Sequence, residues 1–85
     1  MFSLADLRRA ADLVHGAMPP TPQYAWPLLG ERYGVEIVVK HENHTPTGAF
    51  KVRGGLVYMD RLVRQRPHVR GVVSATRGNH GQSLA

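Results

Sequence analysis

Two polar, glycine-containing segments of the sequence carry the side chains that could do chemistry. One runs from Glu42 to Lys51 and the other from Thr76 to His80. Gly48 and Gly78 let the backbone turn sharply and approach a ligand closely. The amine of Lys51, when it is not protonated, is a nucleophile toward aldehydes. These residue types point to the binding of a small molecule, with a lysine available for covalent chemistry.

The elements that must position these segments follow from spacing and from helix-ending residues. Ser3 and Asp6 are typical of a capped helix start, and apolar residues at helical spacing continue the helix to about Ala17. The prolines that follow end it. A second, short helix is expected from Pro27 to Tyr33, closed by Gly34.

The remaining elements alternate between strands and helices. The β-branched run from Val35 to Lys40 predicts a strand, and apolar spacing predicts a helix from about Ala49 to Arg66. A short strand is expected from Gly71 to Ala75, and a new helix from His80. This order indicates an α/β fold with an open, mostly parallel sheet and helices on both faces, because a helix connects the two strands.

In such a sheet, ligands lie beyond the carboxyl ends of the strands, where both polar segments are expected. Each segment also leads into a helix, whose first N–H groups and dipole suit a phosphate or carboxylate. The sequence stops inside its last helix, so we expect residues 1–85 to form a single partial domain, the truncated N-terminal part of a larger fold.

Composition narrows the class of protein. The absence of cysteine removes disulfides and thiolate metal sites, and no apolar run approaches the roughly 20 residues of a membrane span. We therefore expect a cytoplasmic protein with no membrane partner. The formal charge of +5 could suggest nucleic acid, but the basic residues are dispersed rather than clustered. We expect a solvated, arginine-rich surface and no nucleic-acid partner.

Three motifs resemble those of serine/threonine dehydratases. The segment from His41 to Gly55 closely resembles the cofactor-lysine motif of that family, K-x-E-x-x-x-P-T-G-S-F-K-x-R-G-A. The segment from Ser74 to Gln82 resembles the second motif, S-A-G-N-H-A-Q, and Thr21-Pro22 matches the T-P near the family's N-terminus. The motifs occur in the family's order and cover most of the chain. The resemblance implies a fold type II enzyme dependent on pyridoxal 5'-phosphate.

The same resemblance implies roles for individual residues. Lys51 would hold pyridoxal phosphate as a Schiff base, Phe50 would pack on the pyridine ring, and Asn79 would hydrogen-bond the phenolic oxygen. The substrate carboxylate would lie against the Thr76 hydroxyl and the N–H groups of residues 78–80, namely Gly78, Asn79 and His80. His41, Glu42 and His44 lack the H-E-x-x-H spacing of a helical zinc site, so no metal is expected.

The implied reaction is loss of water from a hydroxy amino acid, L-threonine or L-serine. The aminoacrylate that results would leave and hydrolyse to a 2-oxo acid and ammonia. Lys51 would also act as the general base at Cα. The resemblance places the glycine-rich phosphate loop and the partner of the pyridine nitrogen further along the family's chain. The 85 residues alone are therefore expected to be inactive and to bind the cofactor poorly, whereas the full-length protein would be a homo-oligomer.

Two departures from the motifs affect the expected substrate. Ala49 replaces the usual Ser before Phe-Lys, a change that we expect the family to tolerate. Arg77 stands where dehydratases commonly have Ala and where serine racemases have the Ser that acts as second base. This makes racemisation a weaker alternative. Arg77 could instead favour a substrate with an additional acidic group, such as 3-hydroxyaspartate, or it could point into solvent.

Further alternatives remain open at this stage. Threonine synthase shares the first chemical step and is not fully excluded by these motifs. The chain could also be a non-catalytic remnant or an assembly module, which a downstream glycine-rich loop would argue against. A basic nucleic-acid-binding module is a remote third class, marked by salt-dependent binding to unrelated sequences.

Overall fold

A computed structural model describes all 85 residues of the chain. It contains four α-helices, two short strands and one turn of 3₁₀ helix. In chain order these are α1 (Leu4–Ala17), β1 (Gln23–Ala25), α2 (Pro27–Tyr33), β2 (Val38–Lys40), the 3₁₀ turn (Glu42–His44), α3 (Lys51–Gln65) and α4 (Asn79–Leu84). None of the helices combines the length and the apolar character needed to cross a membrane.

The helix ends follow the local signals in the sequence. Ser3 and Asp6 form a complete capping box, in which the Ser3 hydroxyl accepts from the Asp6 N–H at 3.1 Å. In return, the Asp6 carboxylate accepts from the Ser3 N–H at 2.8 Å, which satisfies a second donor at the helix start. Gly34 closes α2 in the left-handed region at φ 69°. The bounds predicted for these two helices are confirmed.

The sheet differs from the one expected. β1 and β2 pair antiparallel with Tyr24 opposite Val39, and the strand expected from Val35 begins only at Val38. The strand expected from Gly71 to Ala75 does not form. The α/β class is confirmed, whereas the predicted strand at residues 71–75 is wrong, so the two predicted strands do not pair in this chain.

The reason lies in where backbone hydrogen bonds can be made. An extended segment becomes a strand only by pairing with a neighbour, and residues 71–75 make no backbone hydrogen bond to any part of the chain. β1 has the partner that they lack. The His41 N–H donates to the Pro22 carbonyl at 2.8 Å and the Trp26 N–H to the Ile37 carbonyl at 3.1 Å, which extends the β1–β2 ladder at both ends.

A small apolar core joins α1 to the start of α3. Val14 and Met18 from the end of α1 pack with Val52, and Leu56 and Val57 cover this cluster. Val52 directly follows Lys51, so burial of its side chain holds the first turn of α3 against α1. This core therefore fixes the element that carries the predicted catalytic lysine.

Candidate functional site

The loop before α3 is closed by a buried threonine. The Thr45 hydroxyl donates to the Ala49 carbonyl at 2.8 Å and accepts from the Ala49 N–H at 2.9 Å. The Gly48 N–H donates to the Thr45 carbonyl at 3.0 Å, and Gly48 has φ 74°, a conformation that a glycine adopts without strain. The loop is therefore a compact turn that leads directly into Phe50 and Lys51.

Lys51 is the first residue of α3, and its side chain is exposed. Its Nζ lies 5.3 Å from the centroid of the Phe50 ring, within the range of a cation–π contact. No carboxylate lies within ion-pair distance of this amine. Phe50 is itself 60% exposed, so an accessible amine and an accessible aromatic ring stand together at the helix start.

A hydrogen-bonded cluster ties Arg53, in the same helical turn, to two earlier segments of the chain. Arg53 donates two hydrogen bonds to the Glu42 carboxylate, from Nε to Oε2 at 2.8 Å and from Nη2 to Oε1 at 2.9 Å. Thr21 donates its hydroxyl to Glu42 Oε1 at 2.6 Å and accepts from Arg53 Nη2 at 3.2 Å. We call these three residues the Thr21–Glu42–Arg53 clamp.

The charges of the clamp stabilise one another. The Arg53 hydrogen bonds, aided by the Thr21 hydroxyl, lower the pKa of Glu42 from 4.5 to about 2 against the opposing effect of desolvation. The Glu42 carboxylate in turn raises the pKa of Arg53. Both partners remain ionised over the neutral range. A bidentate, charge-assisted pair of this kind also fixes the relative orientation of the two side chains.

The second polar segment forms the start of α4. The Thr76 hydroxyl oxygen accepts from the N–H groups of Gly78 at 3.1 Å and Gly81 at 3.0 Å, and Gly78 has φ 141°. The N–H groups of Asn79 and His80 make no hydrogen bond within the chain. The N–H groups of Gly78 and Gly81 therefore stabilise the turn, and those of Asn79 and His80 remain available to a ligand.

The two segments are brought towards each other by the crossing of α3 and α4. A Cβ atom on Gly55 would lie 2.3 Å from the Ser83 carbonyl oxygen, so the two helix backbones almost touch there. Lys51 lies four residues before Gly55, and Asn79 lies four residues before Ser83, which is about 6 Å along each axis. Lys51 and Gly55 also share one face of α3. The face that carries the lysine is thus the face on which α4 packs.

His41 and His44 belong to an aromatic cluster beside β1. The Trp26 indole N–H donates to His41 Nε2 at 3.1 Å, and the His41 ring lies 5.6 Å from Tyr24 and 6.1 Å from His44 between ring centroids. The chain has no group of three or more side chains placed to hold a metal ion. The indole hydrogen bond gives His41 a structural partner.

Sequence reasoning assigned no role to the members of the clamp. All three lay inside the quoted motifs, in the T-P pair, in K-x-E and in F-K-x-R. The signal available was the pairing of a glutamate with an arginine across a tight polar loop. It went unused because a carboxylate and a guanidinium 11 residues apart can equally both face solvent. The contact of Arg53 with Thr21, 32 residues away, has no local signal at all.

Comparison with known proteins identifies the family. Residues 14–85 match the family described as "Pyridoxal-phosphate dependent enzyme". The whole chain is 35% identical to part of a biosynthetic L-threonine dehydratase of Corynebacterium glutamicum and 35% identical to part of an L-threonine ammonia-lyase of Thermotoga maritima. Over 94% of its length it is 31% identical to an L-threo-3-hydroxyaspartate ammonia-lyase of Saccharomyces cerevisiae.

The alignments cover only part of each relative. The chain spans about a fifth of the length of these relatives, 21% for the first two and 24% for the third. No solved structure gives a significant match to the chain. The family match nevertheless includes the Lys51 loop, the clamp and the α4 segment together. The chain therefore belongs to the family of pyridoxal-phosphate dependent enzymes.

Proposed function

We propose that this chain provides the lysine-bearing part of a pyridoxal-phosphate dependent lyase that removes water from a hydroxy amino acid. The unsaturated amine that is released then takes up one water and hydrolyses to a 2-oxo acid and ammonia. The observation that carries the proposal is the exposed amine of Lys51, free of any carboxylate, at the start of α3 beside the exposed Phe50 ring. L-threonine and L-serine are the proposed substrates. Two relatives, named L-threonine dehydratase and L-threonine ammonia-lyase, support this class of reaction.

The residues present are chemically suited to the cofactor. A free primary amine is what the aldehyde of pyridoxal phosphate needs, and an open aromatic ring beside it offers a surface for the pyridine ring. Lys51 would hold the cofactor covalently, Phe50 would contact its ring, and the Asn79 amide would hydrogen-bond its phenolic oxygen. Once bound, the cofactor supplies an electron sink for the negative charge that develops at the substrate Cα.

The other steps fall to side chains and backbone of this chain. The Lys51 amine, when released, is the proposed base that takes the proton from Cα. The substrate carboxylate is proposed to accept from the free N–H groups of Asn79 and His80 and from the Thr76 hydroxyl hydrogen. The geometry of this segment refines the earlier expectation for Gly78, because its N–H already donates to Thr76. Gly78 then shapes the turn instead of donating to the substrate.

Lys51 can be tested against a natural control, because Lys40 is the only other lysine of the chain. The protein that carries this sequence is incubated with pyridoxal phosphate, reduced with borohydride and mapped by peptide mass, and 2-oxo acid production is followed with L-threonine and L-serine. We expect the modification at Lys51, and loss of both modification and activity in Lys51→Ala but not in Lys40→Ala. Activity retained by Lys51→Ala would rule the proposal out.

Arg77 supports a second candidate substrate. Its side chain is exposed and forms no ion pair or hydrogen bond within the chain, and it lies between Thr76 and Gly78 in the proposed carboxylate site. Two relatives are named L-threo-3-hydroxyaspartate ammonia-lyase. The second carboxylate of such a substrate could pair with the guanidinium. If Arg77→Ala leaves the ranking of threonine, serine and 3-hydroxyaspartate unchanged, this candidate fails.

The wider setting of the enzyme is proposed on the family resemblance. We propose one partial catalytic domain over residues 1–85 of a cytoplasmic homo-oligomer that acts on a small amino acid and needs no nucleic acid or membrane partner. Light scattering of the purified protein tests the assembly. Binding to nucleic acids of unrelated sequence that weakens as salt rises would favour the basic-module alternative.

A further inference from the structure

The Thr21–Glu42–Arg53 clamp joins three separate parts of the chain at the base of α3. Thr21 precedes β1, Glu42 follows β2, and Arg53 lies in the first turn of α3. Thr21 is buried, and only 26% of the Arg53 side chain and 21% of the Glu42 side chain are exposed. Because the pair is partly shielded from solvent, it is screened less than a fully exposed ion pair would be.

The clamp holds α3 on the side opposite to Lys51. Residues two apart on a helix point about 200° from each other, so the Arg53 side chain leaves α3 nearly opposite to the Lys51 side chain. Two parallel hydrogen bonds to one carboxylate restrict rotation of the guanidinium and, through it, of the helix about its own axis. A rotation of α3 would move the Lys51 amine sideways relative to the start of α4.

We propose that Thr21, Glu42 and Arg53 are positioning residues, which fix the rotation of α3 and thereby the direction in which the Lys51 amine meets the cofactor. The inference rests on the function proposed for Lys51. It differs from a purely structural role, in which the clamp would change stability but not the reactivity of the lysine in the folded protein.

The same helix contains a matched control. Arg64 also donates from Nε to a carboxylate, that of Asp60, at 3.0 Å, but 75% of the Arg64 side chain is exposed and both partners lie on α3. A pair within one exposed helix face adds little to stability and cannot set the rotation of that helix against the rest of the protein. Arg53→Lys and Arg64→Lys make the same chemical change. Only Arg53→Lys alters a contact between α3 and another segment of the chain.

The measurement is the rate at which pyridoxal phosphate is captured at Lys51, taken from borohydride-trapped peptide at increasing times, well below the melting temperature of each variant. For Glu42→Gln and Arg53→Lys we expect capture to slow by about tenfold or more, because small misplacements of a reacting group are costly, and Arg64→Lys to stay within about twofold. Thr21→Val should slow capture as well. Thr21→Ser, which keeps the hydroxyl, should restore it.

The outcomes separate this inference from the function on which it rests. No capture of pyridoxal phosphate at Lys51 in the unaltered protein would contradict both the function proposed for Lys51 and the positioning role. Capture in the unaltered protein that is equally fast in Glu42→Gln, Arg53→Lys and Thr21→Val overturns the positioning role alone. Equal rates in Thr21→Val and Thr21→Ser would also count against it, and this comparison remains usable if a charge-altering variant fails to fold. A lower kcat with little change in KM would support positioning, as expected for a misdirected base.

Discussion

Replacement of Gly55 by alanine tests the close crossing of α3 and α4. The added Cβ would lie 2.3 Å from the carbonyl oxygen of Ser83 and 2.9 Å from its carbonyl carbon. These are backbone atoms, so no side-chain rotation relieves the overlap. To reach an ordinary contact, α4 would have to move away from α3 by about 1 Å, since packed interiors have little free space.

The expected magnitude is a difference between two opposing effects. Alanine in a helix interior is about 1 kcal/mol more favourable than glycine, whereas overpacking of this kind costs about 1–3 kcal/mol. Because the overlap is with backbone, we expect the upper part of that range and a net loss of about 1–2 kcal/mol in the free energy of unfolding. Gly54 is exposed and a Cβ there would meet nothing within 4 Å. Gly54→Ala should therefore be stabilising by about 0.5–1 kcal/mol.

Urea denaturation of the two alanine variants of the protein, beside the unaltered form, measures both changes. Both substitutions add one methyl group to a glycine of α3, but they should change the free energy of unfolding in opposite directions. Gly55→Ala should also reduce capture of pyridoxal phosphate at Lys51, since Gly55 shares the lysine's face of α3 and α4 packs there. If Gly55→Ala proves as stabilising as Gly54→Ala, α3 and α4 do not cross closely at Gly55.

Two further predictions concern the clamp and a helix end. The pKa of Glu42 falls from 4.5 to about 2 on folding. Its contribution to the free energy of unfolding is therefore complete above pH 4.5 and is lost as the pH falls towards 2. The shift in pKa corresponds to at most about 3 kcal/mol, and to less after solvent screening. Acid unfolding profiles should show this loss in the unaltered protein and not in Glu42→Gln, and identical profiles would contradict it. Gly34→Ala should lower the free energy of unfolding by about 1 kcal/mol because Gly34 has φ 69°, and Gly34→Asn should lower it less. A higher melting temperature for the alanine variant than for the asparagine variant would contradict the role of Gly34 as a helix cap.

The helices were predictable because their signals are local. The capping box of Ser3 and Asp6, the proline after Met18 and the left-handed Gly34 each act within a few residues of the end that they define. Strand pairing is not local in this sense. β1 has only three residues and no alternation, and it forms because the chain folds back to place it beside β2. Residues 71–75 have the composition of a strand without such a neighbour.

The site was predictable to the extent that its parts are contiguous. The placement of Lys51 at a helix start and of Thr76 to His80 at a turn followed from glycine and from apolar spacing. Which backbone N–H groups at the start of α4 are free could not be predicted in this way. The Thr76 oxygen accepts from Gly78 and Gly81 and leaves the N–H groups of Asn79 and His80 free. This outcome depends on hydrogen bonds that compete within five residues. The sequence does not rank such competitors.

Two contacts hold α3 on opposite faces, the crossing with α4 at Gly55 and the pair of Arg53 with Glu42. Together they explain how the Lys51 side chain can move while its helix stays in place. Gly55 lies on the face of Lys51 and admits α4 close to the lysine, while Arg53 on the other face is held by Glu42. Neither contact touches the Lys51 amine, so the side chain keeps the freedom that a residue needs if it is to bind a carbonyl and later take up a proton. Its helix, in contrast, is fixed in both distance and rotation. In the proposed positioning role, the direction of the lysine is set by residues with which its amine forms no hydrogen bond or ion pair.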